Sequence, residues 1–238
     1  MTEVSSADPL PELLSIIVPV YNERATIAAV VDRLLTIDLP IEREIIVVND
    51  GSSDGTREAL DAFPVSRCVT IVHLPQNGGK GHAVRVGLAR TRGTITAIQD
   101  ADLELDPAQL PDLIGPILRG EAAAVYGSRF LAGTAAVPFM TRAGNVGLTW
   151  LTNILYGQSL TDMETCYKIM RGDIARNLQL SANHFDIEPE ITVALLKAGH
   201  RIVERPVTFS PRSRADGKKM RWRDGIEAVR MLIRHRRG

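Results

Sequence analysis

Short, almost uninterrupted apolar runs recur through the first half of this chain, and each gives way to a segment whose apolar residues fall three and four apart. Such runs suit parallel strands buried on both faces, and the segments between them suit the helices that cover the sheet. The predicted strands are Ser15–Val20, Glu44–Asn49, Val69–His73, Thr94–Ile98 and Ala122–Tyr126. Helices are predicted over Ala25–Leu35, Gly55–Phe63 and Gly81–Thr91. Asp106-Pro107 supplies an N-cap and a first-turn proline for a fourth helix, running through Leu118. The fold class is therefore α/β, a Rossmann-like, mostly parallel central sheet with flanking helices, and 238 residues suit a single domain.

Beyond Arg129 the pattern loosens into a Gly/Ala-containing loop to Pro138, a helix near Asn145–Tyr156 and a short strand near Lys168–Met170. A helix around Pro189–Ala198 follows, then an extended run or strand pair over Arg201–Phe209, a polar loop Ser210–Lys219 and a last helix, Arg223–Arg237. The domain reading is a tail over 1–13, the main domain over 14–222 and a basic amphipathic helix over 223–238.

Lys plus Arg and Asp plus Glu both total 28, so net charge gives no general attraction to nucleic acid or membrane. From Arg212 to Gly238, however, there are ten Lys or Arg against three Asp or Glu. Cys68 and Cys166 form no Cys-x-x-Cys pair, which leaves out a thiolate zinc site and fits a reducing cytoplasm. The N-terminus lacks a basic segment followed by an apolar run, and no stretch reaches the roughly 20 apolar residues of a membrane span. The expected location is cytoplasmic, with peripheral contact on the cytoplasmic face of the membrane as a further option. In the last helix Trp222, Ile226, Val229 and Ile233 fall at helical spacing, a stripe that would either lie on a bilayer or pack on the domain.

In open α/β sheets ligands bind outside the carboxyl ends of the strands, so the polar residues after each apolar run carry the functional signal. Those here are acidic or glycine-rich: Pro19-Val20-Tyr21-Asn22-Glu23, Asn49-Asp50-Gly51-Ser52-Ser53-Asp54, Asn77-Gly78-Gly79-Lys80 and Asp100-Ala101-Asp102-Leu103-Glu104. In an extended segment Asp100, Asp102 and Glu104 would point to one side and offer several oxygens to one hard cation, magnesium or manganese. The alternative for the three acids is a solvated loop. Asp50 is placed to bond a base or ribose edge, whereas Asp54 suits a helix cap. Lys80 and the glycines before it suit approach to phosphate, without the spacing of a phosphate-binding loop of the NTPase type.

Together with Gly127-Ser128-Arg129-Phe130, these motifs resemble the family 2 inverting glycosyltransferases of GT-A fold. Asp162-Met163-Glu164-Thr165-Cys166-Tyr167-Lys168, Phe185–Glu188 and the basic loop Arg212–Lys219 are similar to polyprenyl- and dolichyl-phosphate sugar synthases. The resemblance implies that Pro19, Tyr21, Glu23 and Asp50 line a base and ribose site, with Lys80, Asp100 and Ala101 adding nucleotide contacts. It implies Asp102 and Glu104 as principal metal ligands, with Asp100 beside them. Arg129, Arg212 or Arg214, and Lys218 or Lys219 would meet diphosphate or acceptor phosphate, since Arg forks and a metal suit several negative charges in one site.

The implied reaction is an in-line displacement with inversion, moving a hexose from a UDP- or GDP-sugar to a polyprenyl phosphate. A phosphate monoester needs no base, because its second pKa of about 6 leaves it dianionic near neutrality. A soluble hydroxyl acceptor would need one, with Asp162 first and Glu188 second. A nucleotidyltransferase using the same metal and a non-catalytic nucleotide-sugar-binding protein are the other readings.

Overall fold

The run Leu13–Val20 becomes an interior strand of the sheet because nearly all of it is apolar and it can be covered on both faces. The computed structural model describes residues 12–64, 66–131, 133, 139–212 and 222–236. Its elements in chain order are β1 (Leu13–Val20), α1 (Ile27–Thr36), β2 (Glu42–Asn49), α2 (Thr56–Asp61), β3 (Val69–His73), α3 (Lys80–Leu88) and β4 (Ile95–Ile98). A 3₁₀ turn (Pro107–Gln109) then runs into α4 (Leu110–Leu118), followed by β5 (Ala124–Ser128), α5 (Phe139–Tyr156) and β6 (Lys168–Arg171). The chain ends in α6 (Gly172–Asn177), α7 (Ile187–Lys197), β7 (Ile202–Pro206) and α8 (Trp222–Arg236).

The strands form one sheet in the order β3-β2-β1-β4-β6-β5-β7. Neighbours pair in parallel except at β6, which runs antiparallel to both β4 and β5. From β1 the chain winds outward to β2 and β3, then crosses back to place β4 on the other side of β1. That reversal opens a crevice at the carboxyl ends of β1 and β4, where ligands of open α/β sheets sit.

Pleating sends alternate residues of β1 to opposite faces. Ile16, Val18 and Val20 pack with Val30, Leu34, Leu113 and Ile114 from α1 and α4, whereas Ile17 meets Val84 and Leu88 of α3 and shares a cluster with Ile191 and Leu195 of α7. The predicted cap holds: Asp106 Oδ1 accepts the Ala108 N–H at 3.0 Å, ahead of Pro107.

Three features depart from the sequence reading. α5 starts at Phe139 rather than near Asn145, and α6 was not anticipated, because its six residues offer only Ile174 and Ala175, adjacent in sequence, as apolar positions and so show no period. By contrast, the extended run expected over Arg201–Phe209 is present, as one strand, β7, paired in parallel with β5. In α8 the packed positions are Ala228, Met231 and Leu232, while Ile226 and Ile233 face outward and Val229 is half-buried, so the expected stripe is not the face that packs. The side chain of Trp222 lies outside the described residues. The Tyr156 hydroxyl donates to Leu232 O at 2.9 Å, holding α8 on α5. Among the described residues no helix is long and apolar enough to cross a membrane.

Candidate functional site

A cavity of about 740 Å³ opens outside the carboxyl ends of β1, β2 and β4. It brings together Pro19, Tyr21, Glu23, Asp50, Lys80, Asp100, Ala101, Asp102, Glu104, Arg129 and Arg212. Asp162 does not line it, and Arg214, Lys218 and Lys219 lie outside the described residues.

Asp50 follows β2 and is almost wholly buried. Its Oδ1 accepts the Gly78 N–H at 2.9 Å, and its Oδ2 accepts Gly79 N–H at 2.7 Å and Asn77 Nδ2 at 2.9 Å. The carboxylate thus anchors the loop that carries Lys80, besides facing the cavity. Gly79 has φ +96°, and a Cβ there would lie 2.3 Å from Asn183 O, so only glycine fits this approach. Asp54 acts at a helix start as expected, its Oδ1 accepting the Thr56 N–H at 3.0 Å.

The acidic segment is a turn, not the extended run assumed for one-sided presentation. Leu103 takes φ +61°, and Asp102 Oδ1 accepts the Glu104 N–H at 3.0 Å. The buried Gln99 amide closes the turn by donating to Asp100 O and Leu105 O, both at 3.1 Å, and its own Oε1 accepts the Tyr167 hydroxyl at 2.6 Å. The carboxylates therefore diverge. Asp100 Oδ1 lies 2.7 Å from Lys80 Nζ, and Asp102 Oδ2 lies 3.2 Å from Arg212 Nη2. Among the described residues no three His, Cys, Asp or Glu side chains form a ready-made metal group.

Charge and burial act oppositely along this turn. Burial would raise the Asp100 pKa, but the Lys80 ammonium outweighs it and holds the carboxyl below its ordinary range. Asp102 is pushed up to about 6, first by burial and then by the carboxylates of Asp100 and Glu104. That repulsion is the cost a divalent cation would relieve.

Arg212 arrives from beyond β7 and spans the turn: Nη1 and Nη2 donate to Glu23 at 2.8 and 3.0 Å, and its backbone N–H donates to Glu104 Oε1 at 2.8 Å. Lys80 Nζ also reaches Glu188 Oε1 at 2.9 Å, and Glu188 Oε2 meets the fully buried Lys168 at 2.7 Å. These two ammoniums overcome the effect of burial and keep Glu188 ionised below its usual range.

Arg129, just past β5, holds Asp162 with Nε and Nη2, both at 2.7 Å, and with its backbone N–H at 3.0 Å. Its guanidinium centre lies 5.4 Å from the Phe209 ring centroid. Asp162 is fully buried beneath this fork, so the carboxylate expected as a first-choice base is an orienting partner of Arg129 instead. The cavity wall carries Glu164 in its place. Burial pushes the Glu164 carboxyl up to about 7, and its Oε1 has no hydrogen-bond partner among the described residues. The signal that could have singled it out is a charged residue in the otherwise uncharged run Met163–Tyr167.

A mostly parallel sheet with an acidic turn and arginine forks at its switch point defines an α/β protein of GT-A type. The chain belongs to the family described as glycosyl transferase family 2, whose model matches residues 15–178. It is 30% identical over 214 residues to an undecaprenyl-phosphate mannosyltransferase of Micrococcus luteus, covering 85% of each chain. It is 28% identical over 210 residues to a dolichol-phosphate mannosyltransferase of Pyrococcus furiosus, covering 86% of this chain and 58% of that one. It spans less than two thirds of the length of three such curated relatives. Among solved structures, glucosyl-3-phosphoglycerate synthase of Mycobacterium tuberculosis, in complex with Mn²⁺, UDP and phosphoglyceric acid, shares the fold. Its TM-score is 0.72 at 20% identity, covering 94% of this chain and 78% of that one.

Proposed function

We propose that this protein is a metal-dependent inverting hexosyltransferase that uses a UDP- or GDP-sugar donor and a polyprenyl phosphate acceptor. The observation that carries the reading is the meeting, in one cavity, of the Asp102-Glu104 turn with Arg212 on one side and Arg129, held from behind by the buried Asp162, on the other. The names of the bacterial and archaeal relatives support the acceptor class, and the complex of the structural neighbour with Mn²⁺ and UDP supports the donor class and the metal.

The donor set fits a hard cation: all oxygen, with Asp102 made costly to ionise by its acidic neighbours. Asp102 and Glu104 would hold Mg²⁺ or Mn²⁺, and the ion would supply charge stabilisation to the departing nucleoside diphosphate. Asp50 keeps the glycine loop, and with it Lys80, in position beside the donor. Arg212 and Arg129, each oriented by the carboxylates it holds, bring guanidinium charge toward phosphate oxygens on the two sides of the reacting centre. Val20, Ala101 and Leu105 add apolar surface to the cavity lining.

A hydroxyl acceptor needs a base, and neither expected base is suited to that work. Asp162 is held by Arg129, and Glu188 is held ionised between two lysines. A phosphate acceptor, already dianionic, needs none. Peripheral membrane contact is consistent with α5, whose Val146, Trp150 and Ile154 are exposed along one face, and with the outward-facing Ile226 and Ile233 of α8.

The test is a screen of UDP- and GDP-hexoses with Mn²⁺ or Mg²⁺ and a detergent-dispersed polyprenyl phosphate. A lipid-linked hexose and released nucleoside diphosphate are expected. Transfer confined to hydroxyl acceptors, or release of pyrophosphate, would overturn the reading.

A further inference from the structure

Glu164 differs from the other acids of the cavity. Glu23, Asp50, Asp100, Asp102, Glu104 and Glu188 each accept a hydrogen bond or ion pair from a named neighbour. Glu164 lines the same cavity, is 8% exposed, and presents a buried Oε1 that no described residue satisfies. A buried polar oxygen left without a partner costs on the order of 1–3 kcal/mol, so an unmet one on a cavity wall marks where a ligand belongs.

Its surroundings decide which form of the carboxyl is in place. Lys168 from β6 and Arg129 beyond β5 face it with positive charge, and Glu188 from α7 and Asp162 face it with negative charge. Two cations against two anions leave burial as the deciding influence, and burial favours the neutral acid. The position is on the β5–β6 side of the crevice, next to Arg129 and across from the loops after β1 and β2.

We propose that Glu164, as a neutral carboxylic acid, donates a hydrogen bond to an oxygen of the acceptor phosphate and so determines acceptor specificity. This rests on the phosphate-acceptor reading above. Arg129 supplies positive charge to the phosphate and Glu164 a neutral donor. An entering dianion adds negative charge beside the carboxyl and strengthens its hold on the proton. When the carboxyl is ionised in the free protein, binding takes one proton from solvent, and no bond of the transferred sugar is involved. The carboxyl titrates near 7 before acceptor binds. Above that pH the competent form becomes scarce, and acceptor binding weakens by about tenfold per pH unit. The second ionisation of the phosphate, near 6, is complete by then and does not enter this window.

The experiment uses farnesyl phosphate, a short soluble polyprenyl phosphate, with wild type and E164Q between pH 6 and 9. Expected for wild type is an acceptor KM that climbs above pH 7 with a flat donor KM. E164Q, a permanent neutral donor, should show a flat acceptor KM over the same range. Calorimetry of farnesyl phosphate binding to wild type at pH 8, in buffers of different ionisation enthalpy, should show nearly one proton taken up, a readout that needs no variant to fold. A flat wild-type acceptor KM, or no proton uptake, overturns the proposal. So does a kcat that rises through pH 7 and is lost in E164Q, the signature of a base acting on a hydroxyl. If wild type glycosylates farnesyl phosphate but lacks the pH signature, only the Glu164 role fails; if it neither binds nor glycosylates farnesyl phosphate, the phosphate-acceptor reading fails with it.

Discussion

Around β1, β2 and β4 the charged groups of the cavity are met by partners held in place by backbone: Asp50 by the glycine loop, Asp100 by Lys80, Asp102 by the Glu104 N–H and Arg212. Across the crevice, on the β5–β6 side, charge is paired deeper and less completely. Arg129 and Asp162 form a closed fork, Lys168 and Glu188 lie out of solvent, and Glu164 is left with an unmet oxygen. The first side is organised before any ligand arrives, and substitution there should alter binding or chemistry more than folding. The second side carries buried charge whose removal should register first in stability.

The largest effect that would sharpen this contrast is expected from Asp162→Ala. It leaves the Arg129 guanidinium without its carboxylate in a site only 10% exposed, and should cost about 3–5 kcal/mol in thermal or urea unfolding. A variant as stable as wild type, but without turnover, would return Asp162 to a direct chemical role. Asp102→Ala should lower transfer about 10²–10³-fold, the loss usual for one preorganised electrostatic stabiliser, with little change in melting temperature. Retained turnover with an unchanged response to Mn²⁺ would remove Asp102 from the metal.

Asp50→Ala occupies the middle ground, since its three hydrogen bonds anchor the loop carrying Lys80. Nucleoside diphosphate affinity should fall by about 1.5–3 kcal/mol in calorimetry while the metal requirement stays the same. A shifted metal requirement with unaltered nucleotide affinity would break the division between base-side and metal-side acids. The smallest effect on the folded protein is expected from Trp150→Ser on the 64% exposed position of α5. Stability should move by no more than about 0.5 kcal/mol, while co-sedimentation with anionic vesicles declines. Unchanged sedimentation would leave the α5 face without a membrane role.

Much of the β1–β4 side was legible in the sequence. Each strand is a run too apolar to be anything but covered, and the polar residues that follow it emerge at the sheet's carboxyl edge, which brings Tyr21, Asp50 and Asp100 to one crevice. The cap at Asp106-Pro107 was equally local. The β5–β6 side was not readable in this way. Nothing in the four residues Lys168–Arg171 says that β6 runs against its neighbours or slips between β4 and β5, because that pairing depends on partners more than 40 residues away in either case or on the edge left open by β4.

By itself, then, the sequence determined the α/β class, the mostly parallel sheet and the collection of charged groups at the carboxyl ends of its strands. Periodicity and chain direction are local properties, and they suffice for that. Only the tertiary structure decided which of those groups stand free to act. The acidic turn is closed by the Gln99 amide so that Asp100 and Asp102 diverge to Lys80 and Arg212, and Asp162 is turned under Arg129 while Glu164, two residues on, reaches the cavity. A carboxylate's partner is set by which distant segment packs against it, and burial and neighbouring charge, which fix its protonation, exist only once that packing is complete.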